Sequence, residues 1–393
     1  MSTRLYSRNA VLLAKIETTE GSDPTPDGAN NAVLVSDLSI TPLAGNTVDL
    51  AYVRPYFGAS PSLRTSEYVE VQFTVDIAGT ATAGTAPPWG PLLRACGFSQ
   101  TLTAAAVTGT AAAGTTTSVT LAAGASSTDN IYVGATIGIT SGTASGQSSI
   151  ITAYNGTTKV ATVGKAFSAA VGTGGYSIGA NATYLPVSTG FDSVAMYFNQ
   201  NGVRHKILGA RGTVSFTLTA NERPQMQFSF TGLQGGIADA SEASPVYTSW
   251  KSPVAVNGTN TQSLLAGKLT NDTTSAASFQ LQSFSLDMAN SITYRQVIGL
   301  ENVVLTDRAP AGNVSIEATT VTFKDWWADV RNITTNPFYI NHGTASGNSF
   351  CLFQPAAQLV DPSYSDSDGI TMLGMGIRAL PSVGNDEVRI VVK

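Results

Sequence analysis

Along much of the chain, apolar side chains fall on every second position, the period of strands that bury one face. The run Tyr68–Ile77 puts Val69, Val71, Phe73, Val75 and Ile77 on one side. Gly212–Thr219 does the same with Val214, Phe216 and Leu218, and after the turn Asn221-Glu-Arg-Pro224 the pattern resumes with Met226, Phe228 and Phe230. Together these runs predict a long hairpin. A second closing hairpin is expected over Ile370–Val392, with Val388, Ile390 and Val392 on its core face and Glu387, Arg389 and Val391 on the other. Helical signals are few. Pro87–Cys96 carries prolines where a first turn tolerates them, with Gly97 at its stop. Phe323–Asn332 is the second helix candidate.

The elements recur in the same order, which suggests an internal repeat. A strand with Leu38 and Ile40 leads to Asn46; an irregular stretch reaches Arg64, and the Val69–Ile77 strand and the Pro87–Cys96 helix follow. A strand with Phe284 and Leu286 leads to Asn290; a loop reaches Arg308, and a strand from Val314 and the second helix follow. Asn46 and Arg64 are separated by the same number of positions as Asn290 and Arg308.

Between Thr101 and Gly190 the only charged side chains are Asp129, Lys159 and Lys165. Short β-branched runs alternate there with turn signals such as Asn155-Gly156, a strong hairpin mark. The stretch 107–180 reads as a small all-β module, inserted into the first of two units and displayed on the surface. A disordered Thr/Ala linker is the bland alternative, and the regular spacing of the β-branched clusters argues against it. The expected organisation is a first unit over 1–106 and 181–235, the module over 107–180, and a second unit over 236–393. The fold class is mainly β.

Composition narrows the function. Charged residues are 12% of the 393, against about 25% in ordinary proteins. The net charge is −5 with a pI near 5.1, which argues against gripping nucleic acid through a basic surface. Two cysteines, Cys96 and Cys351, make neither a disulfide framework nor a thiolate cage. No run is long enough to span a membrane, and Asn9–Ala14 is too short for a signal-peptide core, so synthesis in a cytoplasm is expected.

Chemistry-bearing motifs are sparse. His205 lies in the basic strand end Val203-Arg-His-Lys206 and His342 in an apparent turn, neither beside a nucleophile or other ligands; both are expected at a surface or an edge. Gly374-Met-Gly376 mimics a dinucleotide fingerprint but sits inside an alternating β run. Asp361, Asp366 and Asp368 gather before Gly369 without an EF-hand register, which reads as an Asp/Gly turn. No catalytic, cofactor or metal site is expected, and the chain is not expected to be an enzyme.

Several segments carry a resemblance: Ser283-Phe-Ser-Leu-Asp-Met-Ala-Asn-Ser-Ile-Thr, Thr306-Asp-Arg-Ala-Pro-Ala-Gly, Val314-Ser-Ile-Glu, Gly209-Ala-Arg-Gly-Thr-Val-Ser-Phe-Thr-Leu and Phe228-Ser-Phe-Thr-Gly232. With an N-terminal arm over Ser2–Lys15 and a long apolar loop over Tyr52–Ser66, the chain resembles the major tail proteins, or tail tube proteins, of long-tailed bacteriophages. The module resembles small β modules displayed on phage virions. The resemblance implies two tandem tail-tube-like β-sandwich or barrel domains, each with a short helix. It implies rings that stack into a tube, with the arm and loop bridging neighbouring rings. DNA and a tape-measure protein pass through such a lumen without tight binding; tail terminator and distal tail proteins are further partners. A duplicated chain would close as a trimer with a pseudo-sixfold lumen. The location implied is the virion tail, assembled in the host cytoplasm, with no membrane partner.

Two other classes stay open on the residues alone. A fibre, baseplate or decoration protein could bind a surface through the inserted module. A glycan hydrolase would need a carboxylate pair facing a cleft.

Overall fold

Alternating apolar positions need a second layer to cover them, and the chain supplies it from its own length. The computed structural model describes residue 6 and residues 9–80, 82–241, 243–270 and 278–393, and the fold is mainly β. The strands β1 (Ala10–Ile16), β2 (Ala32–Val33), β3 (Ser36–Ala44), β4 (Thr47–Asp49), β5 (Ser62–Arg64) and β6 (Tyr68–Asp76) precede helix α1 (Gly90–Ala95) and β7 (Phe98–Thr103). The inserted stretch forms β8 (Val107–Thr110), β9 (Ala113–Gly114), β10 (Ser118–Thr120), β11 (Thr136–Ile139), β12 (Ser148–Asn155), β13 (Val160–Val163) and β14 (Gly175–Ile178). Next come β15 (Asn181–Pro186), β16 (Val194–Gln200), β17 (Val203–Thr219), β18 (Gln225–Asp239), β19 (Thr261–Leu265) and β20 (Lys268–Leu269). The last part holds β21 (Leu281–Asp287), β22 (Asn290–Val297), β23 (Leu300–Arg308), β24 (Ala311–Glu317), helix α2 (Trp326–Arg331), β25 (Thr335–Ala345), β26 (Asn348–Ser367), β27 (Ile370–Leu380) and β28 (Arg389–Val392).

Eight strands stand side by side in the antiparallel order β3–β6–β18–β17–β21–β24–β27–β26. The first half of the chain gives four of them and the second half gives four in the matching order. The halves meet where β17 pairs β21, with Ser215 opposite Asp287 and Thr217 opposite Ser285. The strands β17 and β26 are the longest, 17 and 20 residues, and each carries a bulge, between Leu208 and Arg211 and between Val360 and Ser363. Bulges bend a strand and increase its twist. Through their N-terminal parts the two strands reach a second set of pairings: β17 with β16, then β1 and β2; β26 with β25 and β28, then β15 and β7.

One apolar core fills the space between and runs through both halves. It holds Val71, Phe73, Phe216, Phe228, Phe284, Ile316, Leu352 and Met375 from the eight-strand run, and Leu12, Met196, Phe338 and Ile390 from the other strands. Each such side chain contributes about 1.5–3 kcal/mol by leaving water. The two helices seal its ends alike. Trp89, just before α1, and Trp326, at the start of α2, are both fully buried. Their indole N–H groups donate to Ala78 O at 3.0 Å and to Thr319 Oγ1 at 2.9 Å. The carboxylate of Asp325 caps α2 by accepting from Ala328 N at 2.8 Å, and α1 has a proline in its first turn.

The expected hairpin Gly212–Phe230 lies within β17–β18. The one expected over Ile370–Val392 does not form. β27 pairs β26 through the two-residue turn Asp368-Gly369, both at positive φ (54° and 84°), as a twisted two-residue turn requires. β28 pairs β26 and β15 instead. The physical reason is two-sided burial: Ile390 and Val392 face the main core while Val391 faces the inserted module.

The seven strands β8–β14 form their own sheet, in the order β8–β14–β11–β12–β13–β10–β9. The segment 107–114 holds both of its edges: Ala111 N donates to Gly174 O and Ala112 N to Thr120 O, each near 2.9 Å. The sheet is thereby closed on itself, which removes free edges. Its core is shared with the rest of the chain, since Leu264, Leu269, Tyr339, Cys351, Phe353 and Val391 pack into it.

Candidate functional surface

The face of the eight-strand run that turns away from the core is almost wholly polar. Reading across the paired positions, one row runs Ser39, Gln72, Ser229, Thr213. A second runs Thr74, Gln227, Ser215, Asp287, Ala311, Arg378, Gln358. A third runs Thr219, Ser283, Ser315, Gly374, Ser363. Carboxylates of Glu70, Asp76, Asp287 and Glu317 share this face; Arg223 pairs with Asp76 at 3.0 Å. Short hydroxyl and amide side chains present hydrogen bonds to water, and the surplus of carboxylates repels phosphate.

Ser215, Thr217, Gln227 and Ser229 therefore lie on the polar face, as their period requires. The expected second-half counterparts do not. Glu387 is buried against the Arg308 guanidinium, Arg389 is buried, and Val391 lies in the module's core. The second half presents Ser283, Ser285, Asn313 and Ser315 instead, from strands whose alternation the sequence carries plainly.

Arg389 and Lys393 bind the module rather than solvent. The Arg389 guanidinium donates to the carbonyls of Asn130 and, at 3.2 Å, Val133; Lys393 Nζ donates to Gly134 O at 3.3 Å. Burial pulls Arg389 down to about 10 and Lys393 down to about 8.

The histidines have structural surroundings. His342 sits on β25, not in a surface turn, and is buried. Its Nε2–H donates to Val254 O at 3.0 Å, its Nδ1 lies 2.8 Å from Thr261 Oγ1, and burial lowers its pKa. His205 is half-buried on β17 opposite Phe198, also with a lowered pKa from burial. Among the described residues no cluster of three or more His, Cys, Asp or Glu side chains could hold a metal ion, and no helix is long and apolar enough to cross a membrane. Cys96 and Cys351 are buried free thiols.

Two edges of the eight-strand run are open among the described residues. β3 pairs β6 on one side only, and Ser363–Ser367 of β26 pairs β27 on one side only. Next to each half's first strand stands a protrusion. The hairpin β22–β23 ends at the exposed Val297, Ile298 and Leu300. The pair β4–β5 carries a loop with Tyr52, Val53, Tyr56 and Phe57 exposed. Of the expected N-terminal arm, residues 2–5, 7 and 8 lie outside the described residues. Ala10–Ile16 is strand β1, held between β16 and β2.

A scan against protein-family models finds no match, and none of the curated proteins matches the chain.

Proposed function

We propose that this protein is the subunit of a self-assembling ring that stacks into a phage tail tube, the conduit for DNA ejection. The observation that carries the reading is the seam between β17 and β21. The two halves of one chain already join edge to edge, and the corresponding edges, β3 and the end of β26, are left open at the two ends of the run. Unpaired edges invite strand pairing with another chain, and a head-to-tail contact that closes yields a ring. The polar, carboxylate-bearing face suits a wet lumen along which DNA slides without sticking.

On this reading the two halves are tandem tail-tube-like domains, over 1–106 with 181–235 and over 236–393, each with one short helix. Three chains supply six such units and a pseudo-sixfold lumen. The module is an outer layer. A tape-measure protein inside, tail terminator and distal tail proteins at the ends, and a virion location follow from the resemblance to tail tube proteins. The protein acts as structure, not as an enzyme. Cryo-electron microscopy of the purified protein tests this. Stacked rings of three chains are expected; isolated chains or non-stacking trimers would point to a fibre, baseplate or decoration protein.

A further inference from the structure

A cleft separates the module from the body, and the outer face of the β12–β13 hairpin is one of its walls. Ala153 pairs with Thr162 and Asn155 with Val160, facing away from the module's core, where Tyr154 and Ala161 point. On the other side stand Leu185 of β15 and the loop Val383–Asp386, and the Arg389 guanidinium borders the cleft from the body. The volume is about 830 Å³, within the range of sites for small organic ligands. Its polar groups are held by bonds that leave other atoms to a ligand. Asp129 accepts from Gly156 N at 2.6 Å through Oδ1, which orients the carboxylate and leaves Oδ2 as an acceptor. Asn155 accepts from the Thr157 and Thr158 amides through Oδ1, at 3.0 and 2.8 Å, and leaves Nδ2 as a donor. Asn385 is fixed in the same way, its Oδ1 accepting from Ser188 Oγ at 2.5 Å and from the Arg308 guanidinium at 2.6 Å. Asp386 pins the loop by accepting from Ser382 N at 2.9 Å and Val383 N at 3.2 Å. Groups fixed beforehand cost little entropy to order when a ligand binds.

The geometry points to a neutral saccharide as the ligand of this cleft. A sugar hydroxyl both donates and accepts, so its site needs fixed donors together with fixed acceptors; Asn155, Asn385 and Thr162 supply the first and Asp129 the second. A sugar ring also has apolar C–H faces, and Val160, Leu185 and the exposed Val383 give these an apolar wall. The charged lining consists of Asp129, Asp386 and Arg389; the two carboxylates repel an acidic ligand and the guanidinium repels a cationic one. Module and body each contribute a wall, so the site exists only where the two are docked. None of these residues lies on the polar face of the eight-strand run, and the site is independent of the self-assembly reading.

The test offers the full chain a panel of neutral and acidic glycans in two forms: soluble oligosaccharides, read by saturation-transfer NMR, and polysaccharides on beads, read by retention. A neutral glycan should bind. Binding of the soluble form makes a free sugar sufficient, whereas retention on the polymer alone identifies a glycan surface as the source. Thr162→Trp, which fills the cleft from an exposed strand position, should weaken that binding about tenfold or more. Thr110→Trp, at an exposed position of β8 outside the cleft, should leave it unchanged. Asp129→Asn keeps Oδ1 for the Gly156 amide and removes the charge; it should weaken binding with the urea midpoint unchanged. No binding of any neutral glycan, binding of acidic glycans alone, or binding that survives both Thr162→Trp and Asp129→Asn would overturn the assignment.

Discussion

The Cε1 atom of Tyr339 lies 2.7 Å from where a Cβ on Gly164 would stand, so ring and backbone touch across the boundary between module and body. Thr152 Cγ2 closes the other side at 3.1 Å. A side chain at this glycine must push the module off its seat. Gly164→Val is expected to destabilise the protein by about 1–3 kcal/mol, the range of overpacked sites. Gly138→Ala, where a Cβ meets only Ser177 O at 3.9 Å, is the control. Chemical denaturation of both variants checks this; equal midpoints would show that the module is loosely held.

Excision of 107–180 probes the same seat from the other side. A module displayed on the surface with a self-sufficient core could be removed and leave assembly intact. Here its removal bares Leu264, Leu269, Tyr339, Cys351, Phe353 and Val391, and strips Arg389 and Lys393 of their carbonyl acceptors. The excised chain should be poorly soluble and bind a hydrophobic dye. Replacing Tyr339, Phe353 and Val391 by Thr in the excised chain should restore solubility, read by size-exclusion chromatography. An excised chain that is soluble and fully folded without those replacements would contradict the shared core.

What the sequence made readable follows from one-sided burial. Strands β6, β17 and β18 bury one face, so Val69–Ile77 and Val214–Phe230 alternate cleanly and both position and facing are correct. The strands that were passed over, and the one that was misread, are buried on both sides. Phe338-Tyr-Ile, Phe350-Cys-Leu-Phe and Ile390-Val-Val are continuous apolar runs because the core takes one set and the module the other. Such runs signal two covered faces. In Glu387–Val392 the charged Glu387 and Arg389 imitated an exposed alternate, although both have buried partners. The polar face was half readable for the same reason, and the open edges were not, since pairing partners leave no local mark.

A polar face that repels phosphate should be convertible. The wild-type protein is expected to show no retention of double-stranded DNA at physiological salt. Thr217→Lys with Ser285→Lys places two cations on paired positions of that face. This variant should retain DNA, and the retention should fall steeply as salt rises. Filter binding across a salt series reads it. Strong DNA binding by the wild-type chain would remove the argument for a non-adhesive lumen.

The buried Lys393 gives the stability a pH signature. Its pKa is about 8 in the folded protein, lowered from 10.5 by burial. Between those values the unfolded chain holds a proton that the folded chain has released. Stability therefore rises with pH through this window, by up to about 3 kcal/mol for so large a shift. Tyr154 and Tyr294 work against it above pH 10. Burial raises both from 10 to about 12, so the unfolded chain loses their protons first and stability falls there. The buried thiols of Cys96 and Cys351 oppose the rise sooner: burial raises both above 9.0, Cys351 to about 11, so the unfolded chain loses their protons first. The net expectation is a rise from about pH 8 to 9, then a decline. Lys393→Met, which keeps the apolar stem and removes the charge, should raise stability at pH 7 and flatten the rise. Urea denaturation midpoints at pH 7, 8, 9 and 10 measure both, and an unchanged slope in the variant would assign the dependence to other groups.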